Sequence, residues 1–300
     1  MARDPRQSFA RAAAGLVDED LSVALVYAEI SGKFFGEVER RHPERVINVG
    51  IREQLLLNVG AGLALSGMRP IVHTFGSFLV ERAFEQIKLG FGHQDVGGVL
   101  VGSAGSFDVA AGGRTHQTPG DVALMSSLPG WSIHVPGHAD EVEQVLRQAV
   151  GGSGRDYVRV VSQQNRTAFP VRSGRFHVVR RGSGATVLAV GPTLDPVLAA
   201  TEGLDVSVLY AGTIRPFDAH GLRAVMSGPD VVLVEPYIAG TSAAAVSVAL
   251  SDRPHRLLSL GVRNEEHRHY GTPDQHIAAH GLDPAGVRGA VTAFLDGAAA

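Results

Sequence analysis

The sequence predicts an α/β fold of two domains with mainly parallel sheets flanked by helices. The chain has 300 residues, which is more than one core usually organises. From residue 45 onward, short β-branched runs alternate with helical patterns, as in βαβ units with a parallel sheet. These runs form two series, separated by a basic stretch that ends in glycine and serine. We therefore expect a first domain over residues 1–172, a linker over 173–183 and a second domain over 184–300.

The first domain contains four predicted strands. Each is a short apolar run bounded by glycine, proline or polar residues, and they begin at residues 69, 96, 131 and 156: RPIVHTF, VGGVLVGS, WSIHVPG and DYVRVV. After the first of them, Val80, Phe84, Ile87 and Phe91 lie on one face of a predicted helix. Another helix follows the capping segment GHADEVE and carries an apolar face between residues 142 and 149.

The second domain repeats this alternation. Its predicted strands begin at residues 185, 205, 230 and 255: ATVLAVG, DVSVLYAG, DVVLVEPY and HRLLSLGV. Helical stretches such as SAAAVSVAL separate them, and DPAGVRGAVTAFLDG is the predicted closing helix. The series therefore predicts a second mainly parallel sheet.

Composition excludes several classes of protein. The net charge is −3 and the basic residues are scattered, so the sequence shows no basic cluster that would bind nucleic acid. No apolar run approaches the roughly 18 residues of a membrane span, and the N-terminus lacks the apolar core of a secretory signal. The absence of cysteine excludes thiolate chemistry, and His267 with His269 lacks an obvious third ligand, which favours a polar loop over a metal site. We expect a cytoplasmic protein that binds neither nucleic acid nor membranes.

Glu53 is an unusual residue in the segment NVGIREQLLLNVGAGLALSG. In isolation, a glutamate in the first turn of a helix is usually a solvated residue favoured by the helix dipole. Here the residues that follow are apolar on nearly every face, which predicts a buried helix with one acid at an internal boundary. Such a carboxyl is suited to sharing a proton with a nitrogen base.

Two further segments carry candidate residues. Phe75 and Phe78 follow a predicted strand, at the end of which α/β folds bind ligands, although core packing is the alternative for any pair of phenylalanines. The glycine-rich segment DVAAGGRTHQTPGD carries Arg114 and His116 where a backbone can approach a ligand closely. It matches neither the P-loop nor the dinucleotide-binding motif, so it does not by itself indicate a phosphate site.

Together these segments resemble the transketolase family, namely its pyrimidine-binding domain followed by its C-terminal domain. VINVGIREQLLLNVGAGLALSGMRPIVHTF resembles the stretch with the glutamate that activates thiamine diphosphate, and FGSFLVERAFEQIK resembles the aromatic segment that follows. GGRTHQ stands where the family has Asp-Gly-x-Thr-His-Gln, and AGTIRPFD and LVEPYIAGTSAA resemble segments of the C-terminal domain. The resemblance covers nearly the whole chain.

The resemblance implies a role for each candidate residue. Glu53 would hydrogen-bond the ring nitrogen of the cofactor's aminopyrimidine, while Ile51, Phe75 and Phe78 would line that ring or stack on it. His116 would lie near the reacting carbon and bind the hydroxyl or oxyanion of the donor. Glu53 and His116 are thus the expected catalytic residues, and the expected reaction moves a two-carbon ketol unit from a ketose or 2-oxo acid.

The resemblance also implies a partner. Thiamine diphosphate enzymes need a pyrophosphate-binding domain, whose Gly-Asp-Gly signature and downstream asparagine hold Mg²⁺, and this sequence contains no Gly-Asp-Gly. We therefore expect an N-terminal transketolase subunit that carries the diphosphate and Mg²⁺ site and joins this chain as α2β2. Alone, the chain would be inactive.

Substrate-binding positions depart from the family pattern. Gly112 replaces the aspartate with which the family binds the donor substrate. Gln163 stands where transketolases have an arginine that binds the substrate phosphate. Arg6 and Lys33 are candidates for the remaining anion contacts, and Arg114 is a candidate for meeting a carboxylate. Because an amide cannot replace bidentate recognition by guanidinium, we expect a substrate other than a standard sugar phosphate bound in the standard way.

Two alternatives remain open. The β subunit of a 2-oxo acid dehydrogenase E1 component shares both domains and would deliver an acyl unit to a lipoyl or carrier-protein arm. The segments RTHQ and TIRPFD favour a transketolase over that enzyme. A non-catalytic homologue would keep the fold without the chemistry, which the changes at Gly112 and Gln163 allow, but the retained Glu53 and His116 argue against it.

Overall fold

Two β-sheets organise the chain, and a computed structural model describes them over residues 4–266 and 268–297. The first sheet has seven strands and the second has five. Neighbouring strands are parallel except at one edge of each sheet. The predicted α/β class with two mainly parallel sheets is confirmed.

The strands alternate with helices along most of the chain. The strands are β1 (Val23–Tyr27), β2 (Val46–Asn48), β3 (Arg69–Phe75), β4 (Gly98–Ser103), β5 (Trp131–His134), β6 (Arg155–Val160), β7 (His177–Arg180), β8 (Thr186–Val190), β9 (Ser207–Ala211), β10 (Thr213–Arg215), β11 (Asp230–Ile238) and β12 (Arg256–Val262). The α-helices in the described ranges are α1 (Pro5–Glu19), α2 (Gly32–Arg41), α3 (Glu53–Leu65), α4 (Phe84–Gln86), α5 (Asp121–Ser126), α6 (Ala139–Gly151), α7 (Leu194–Ala200), α8 (Ala219–Val225), α9 (Ala243–Ala249), α10 (Pro273–Ala279) and α11 (Pro284–Leu295). The backbone is π-helical at Ser77–Arg82 and Ile87–His93, and tightens to 3₁₀ turns at Ala110–Thr115 and Gly191–Thr193.

Strand order shows how the two halves of the chain join. The first sheet runs β10-β5-β6-β4-β3-β1-β2 and the second runs β12-β11-β8-β9-β7. β10 comes from the second half of the sequence but pairs antiparallel with β5 of the first sheet. The two halves are therefore held together by a shared sheet edge as well as by side-chain packing.

Helices cover both faces of the first sheet. α1, α2 and α6 contribute to the core on one face, while α3 and the helical segment 77–93 pack on the other. β1 and β4 are buried along their whole length. Strands covered on both faces read as continuous apolar runs, which explains why sequence alone identified most of them.

All eight predicted strands are present near their predicted bounds, and four more strands lie outside the predicted set. β1 carries the same apolar signal, but the first predicted series begins only at residue 45. β2 and β10 have three residues each, which is too short for a pattern to be recognised. β7 lies inside the predicted linker, 173–183, and pairs antiparallel with β9. The domain boundaries themselves stay a prediction.

The topology places several loops at one edge of the first sheet. β1, β3 and β4 are parallel neighbours, so their carboxyl ends share that edge. The edge carries the turn after β1, Phe75 at the end of β3 and Ser103 at the end of β4. In open α/β sheets this is where ligands bind. Within the described ranges, no helix has the length and apolar character needed to cross a bilayer.

Candidate active site

Glu53 is the first residue of α3, and its side chain is only 2% exposed. The Arg82 guanidinium donates from Nη1 to Glu53 Oε2 at 2.8 Å. The Arg82 side chain is 42% exposed, so the ion pair runs from the interior to the surface. A buried carboxylate requires such compensation, because removing an ionised group from water is costly.

The outer side of α3 differs from the expectation. Leu56 and Leu57 are buried, but Leu55 is 43% exposed and Leu65 is 59% exposed. Ile51, just before the helix, is 71% exposed. The helix is therefore buried on one side only, and we use the name α3 outer face for its exposed apolar residues Leu55 and Leu65 together with Ile51 just before it.

Phe75, Phe78 and His116 form an aromatic cluster, although they come from three different segments. The ring centroids of Phe75 and Phe78 are 5.9 Å apart. The His116 ring lies 5.8 Å from Phe75 and 5.1 Å from Phe78. All three contacts are edge-to-face, the arrangement that aromatic quadrupoles favour. The structure thus brings three of the predicted site residues together.

Arg82 connects this cluster to Glu53. Its Cζ lies 4.1 Å from the centroid of the Phe78 ring, while its Nη1 donates to Glu53. Sequence reasoning did not single out Arg82. The signal that identifies it is its position four residues after Phe78 in a helical segment, which places both on one face.

His116 is positioned by its own loop. Its Nδ1 lies 2.9 Å from Thr115 Oγ1, and that hydroxyl donates to the Gly112 carbonyl at 3.3 Å. A hydroxyl whose proton is directed to a carbonyl accepts from the imidazole, so we assign the proton to Nδ1 and leave Nε2 as an acceptor. A Cβ at Gly112 would lie 2.8 Å from His116 Cγ. The imidazole therefore fills the space that an aspartate side chain would need.

A buried ion pair anchors the loop that carries His116. Arg159 Nε donates to Asp121 Oδ2 at 2.8 Å, and both side chains are 0% exposed. The Tyr157 hydroxyl donates to the same oxygen at 2.8 Å, and Arg159 also donates from Nη2 to Ser106 Oγ at 2.6 Å. Asp121 follows the loop and Ser106 lies near its start, so Arg159 ties the two ends together.

Arg6 and Lys33 line a cleft of about 530 Å³ at the strand edge, which we call the strand-edge cleft. Phe75 forms part of its wall, which places the cleft beside the aromatic cluster. Ser103 also lines it, is 1% exposed, and its Oγ has no hydrogen-bond partner within the described residues. Because buried hydroxyls are normally hydrogen-bonded, this one indicates a place for a bound polar group.

Ser31 adds an acceptor to the strand-edge cleft. His73 Nδ1 lies 3.0 Å from the Val101 carbonyl, which can only accept, so Nδ1 carries the proton. Nε2 then accepts from the Ser31 hydroxyl at 3.0 Å. Burial lowers the pKa of His73 to about 4, which keeps its imidazole neutral. The lone pairs of Ser31 are therefore available to hydroxyl groups in the cleft.

Three other predicted site residues belong neither to the aromatic cluster nor to the lining of the strand-edge cleft. Arg114 donates from Nε to Glu266 Oε1 at 3.2 Å and is 47% exposed. Gln163 lines a separate cavity of about 50 Å³. Ile51 belongs to the α3 outer face and is exposed. None of the three is among the residues that line the strand-edge cleft.

The histidine-rich loop near the end of the chain offers no metal centre in its described part. His267 lies outside the described residues. The backbone carbonyl of His269 accepts from Gln117 Nε2 at 3.0 Å. Over residues 4–266 and 268–297, no group of three histidine, cysteine or acidic side chains is arranged to hold a metal ion.

Comparison with known proteins places this geometry in a family. The pyrimidine-binding domain of transketolases matches residues 2–167, and the transketolase C-terminal domain matches residues 174–287. In structure, the chain is similar to a split-gene transketolase in an inactive β4 tetramer, with a TM-score of 0.85, 26% identity and 98% of each chain covered.

Relatives in sequence include proteins of very different length. An uncharacterised 33.6 kDa protein of the fasciation locus in Rhodococcoides fascians is 51% identical over 96% of this chain and 94% of its own length. The 6-deoxy-6-sulfo-D-fructose transketolase subunit SqwH of Clostridium sp. (strain MSTE9) is 28% identical over 82% of this chain and 80% of its own. The 1-deoxy-D-xylulose-5-phosphate synthase of Albidiferax ferrireducens is 31% identical over 90% of this chain, which spans only 44% of that enzyme. With both domain matches covering most of its length, and with a buried glutamate beside an aromatic cluster at the sheet edge, this chain belongs to the transketolase family.

Proposed function

We propose that this chain is the C-terminal subunit of a two-component, thiamine diphosphate-dependent enzyme that transfers a two-carbon ketol unit. The observation that carries the proposal is the buried carboxylate of Glu53, linked through Arg82 to the cluster of Phe75, Phe78 and His116. Family membership alone would not carry it, because function belongs to the site rather than to the fold.

The residues present fit the pyrimidine half of thiamine diphosphate. Glu53 offers a carboxylate to a ring nitrogen, and Phe75 and Phe78 offer aromatic surface for stacking. When bound, the cofactor supplies an electron sink for the reacting carbon of the donor. Glu53 holds a proton at the ring nitrogen, and a carboxyl in this role contributes as a general acid or base. His116 accepts a hydrogen bond from a donor hydroxyl through Nε2 and so orients the donor.

A partner subunit completes the site in this proposal. The relative SqwH is described as a transketolase subunit, and the similar structure is of a split-gene transketolase. The α3 outer face supports such docking, since Ile51 and Leu55 are exposed apolar residues within two positions of Glu53, and Leu65 is exposed at the far end of the helix. The partner would contribute the diphosphate and Mg²⁺ site, in an assembly of two copies of each chain.

The strand-edge cleft is the proposed place of the donor's anionic end. Arg6 and Lys33 bring cationic groups to its lining, which also contains the acidic side chains of Asp4 and Glu29, while Ser31 gives it a hydroxyl acceptor. Gln163, which replaces the family's phosphate-binding arginine, lies in a different cavity. The proposed substrate is therefore an anionic ketose, or a 2-oxo acid, that is held without the usual bidentate grip on phosphate.

Co-purification with the product of a neighbouring gene that encodes a pyrophosphate-binding domain tests the proposal. The pair is expected to bind thiamine diphosphate with Mg²⁺ in a calorimetric titration, whereas this chain alone is expected to bind it weakly. A donor screen then compares phosphorylated, sulfonated and uncharged ketoses with pyruvate.

Three results would separate the alternatives. Transfer that requires a lipoyl or carrier-protein arm would favour a dehydrogenase-type enzyme instead. Ordinary transketolase efficiency with xylulose 5-phosphate and ribose 5-phosphate would contradict the proposed substrate class. Absence of cofactor binding by the assembled pair would leave a non-catalytic homologue.

A further inference from the structure

Arg82 makes two contacts that a planar, hydrogen-bonding ring would also make. Its guanidinium donates to Glu53 Oε2 at 2.8 Å and lies with Cζ 4.1 Å from the centroid of Phe78. Guanidinium is flat, donates hydrogen bonds within its plane and stacks on aromatic faces. In shape and hydrogen bonding it therefore resembles a protonated aminopyrimidine between a carboxylate and an aromatic ring.

Arg82 contacts the face of the Phe78 ring, whereas the neighbouring aromatic rings do not stack on that face. Phe75 and His116 both meet the Phe78 ring edge-to-face, at 5.9 Å and 5.1 Å between centroids, with planes inclined by 71° and 69°. Neither ring stacks on Phe78. Arg82 is the cationic group that lies over the ring, and it takes one of the two carboxylate oxygens of Glu53 as well.

The Arg82 side chain can leave without rearranging the backbone. It is 42% exposed, so an open path to solvent exists on one side. Its backbone is held independently, because Gln54 Nε2 donates to the Arg82 carbonyl at 3.3 Å. The residue also ends a π-helical turn, a feature found frequently at functional sites, and Ala83 breaks the helix with φ −120° and ψ 28°.

We propose that Arg82 acts as an internal stand-in for the cofactor ring: it pairs with Glu53 and covers Phe78 while the pyrimidine site is empty, and it is displaced when the pyrimidine binds. The inference rests on the function proposed above. Its physical basis is that Glu53 would otherwise be a buried charge without a partner in the free subunit. The same contact raises the free energy needed to load the cofactor, so loading is a competition between guanidinium and pyrimidine.

In the opposite arrangement, Arg82 stays in place and helps to hold the cofactor. Replacing Arg82 would then change the cofactor Kd in the opposite direction. Removing a competitor strengthens cofactor binding, whereas removing a ligand-binding group weakens it. Arg82→Ala removes both the ion pair and the stacking. Arg82→Lys keeps the charge but loses the planar fork. Lys88→Gln is the control, since it removes one positive charge from an exposed position on the same helical segment.

The experiment is a calorimetric titration of the assembled enzyme with thiamine diphosphate and Mg²⁺. Because Arg82 is partly exposed and its departing guanidinium regains water, Arg82→Ala is expected to lower the cofactor Kd by about fivefold, Arg82→Lys by about twofold, and Lys88→Gln by a negligible factor. A Kd for Arg82→Ala that is unchanged or higher than that of the wild type would overturn the inference. If Arg82→Ala does not fold, the Kd of Arg82→Lys decides the question: a value below that of the wild type supports the inference, and one that is equal or higher overturns it.

A second measurement needs no cofactor. In the free chain labelled with ¹⁵N, the Arg82 Nη1–H resonance, which belongs to the group that donates to Glu53 Oε2, is expected to be protected from exchange, and Glu53→Gln is expected to remove that protection. If the Arg82 guanidinium N–H is not protected from exchange in the wild-type chain, the proposed role of Arg82 as a stand-in for the cofactor ring is contradicted. Failure of the wild type and of every variant to bind the cofactor would instead refute the proposed function, and with it the competition.

Discussion

Glu53 and His73 are both buried ionisable residues, but their charges are handled differently. Glu53 is paired with the Arg82 guanidinium at 2.8 Å. His73 stays uncharged, because its pKa is lowered to about 4 by burial and its two nitrogens are satisfied by Val101 and Ser31. Charge pairing compensates the buried Glu53 carboxylate, whereas the neutral His73 imidazole holds the Ser31 hydroxyl at the strand-edge cleft.

Replacing Glu53 by glutamine is expected to leave assembly intact and to slow proton exchange at the thiazolium C2 of the bound cofactor. An amide cannot hold a proton at the pyrimidine nitrogen, so the loss is expected to be about a hundredfold or more. Exchange into deuterated water, followed by acid quench and NMR, measures this without knowledge of the substrate. Glu85→Gln, an exposed change nearby, serves as the control. Exchange at the wild-type rate in the Glu53 variant would contradict its role.

His73 is expected to make stability depend on pH. Its folded pKa, about 4, lies below the ordinary value of 6.5, so the stabilisation is complete above pH 6.5 and is lost as the pH falls toward 4. Between pH 7 and pH 5 the loss attributable to His73 is about 2 kcal/mol. Urea unfolding at both pH values gives the change in the free energy of unfolding for the wild type and for His73→Gln. The difference between these two changes is the contribution of His73.

The comparison must be made between variants. Glu235 has a pKa raised to about 7 by burial, so its contribution to stability increases as the pH falls through the same range. This partly offsets the effect of His73 in either protein and cancels in the difference. Equal pH dependence of the wild type and the His73 variant would show that the imidazole is not buried in neutral form.

At the scale of elements, the loop that carries His116 depends on groups outside it. The loop between β4 and α5 carries His116, yet its position is set by Arg159 on β6, which contacts Asp121 and Ser106. The ion pair between Arg159 and Asp121 is fully buried. Such a pair adds little net stability compared with apolar residues, but breaking one side leaves an uncompensated charge.

Asp121→Ala is therefore expected to destabilise the protein by about 3–5 kcal/mol, since it strands the Arg159 guanidinium in the interior. Asp140→Ala is the matched control. Asp140 also lies in the first turn of a helix, but its side chain is 53% exposed. Its loss is expected to cost about 0.3–1 kcal/mol through the helix dipole. Similar denaturation midpoints for the two variants would refute the anchoring role of Asp121.

At the scale of the whole molecule, the surface beside Glu53 differs from an ordinary protein surface. The α3 outer face exposes Ile51, Leu55 and Leu65 in one stretch of sequence. Leu89, on the neighbouring helical segment, is 46% exposed. Exposed apolar residues of this kind mark interaction sites, and two of them, Ile51 and Leu55, flank Glu53 in the sequence.

Leu55→Glu is expected to abolish co-purification with the partner subunit while the chain keeps its fold and melting temperature. A charge placed in an apolar interface must be desolvated without a partner, which opposes association. Leu21→Glu is the control, because Leu21 is 81% exposed and precedes β1, at the opposite sheet edge from the carboxyl ends of β1 and β3. Retained partner binding by the Leu55 variant would place the interface elsewhere.

The sequence by itself determined the α/β class, the eight main strands and the candidate catalytic residues, because continuous apolar runs and short motifs are local properties of the chain. Tertiary structure decided the rest. It alone paired β10 with β5, closed Arg159 on Asp121 and placed Arg82 between Glu53 and Phe78. It also left Gln163 and Arg114 outside the strand-edge cleft. These contacts join residues far apart in the chain, and their geometry depends on how sheets and helices pack, which no local pattern encodes.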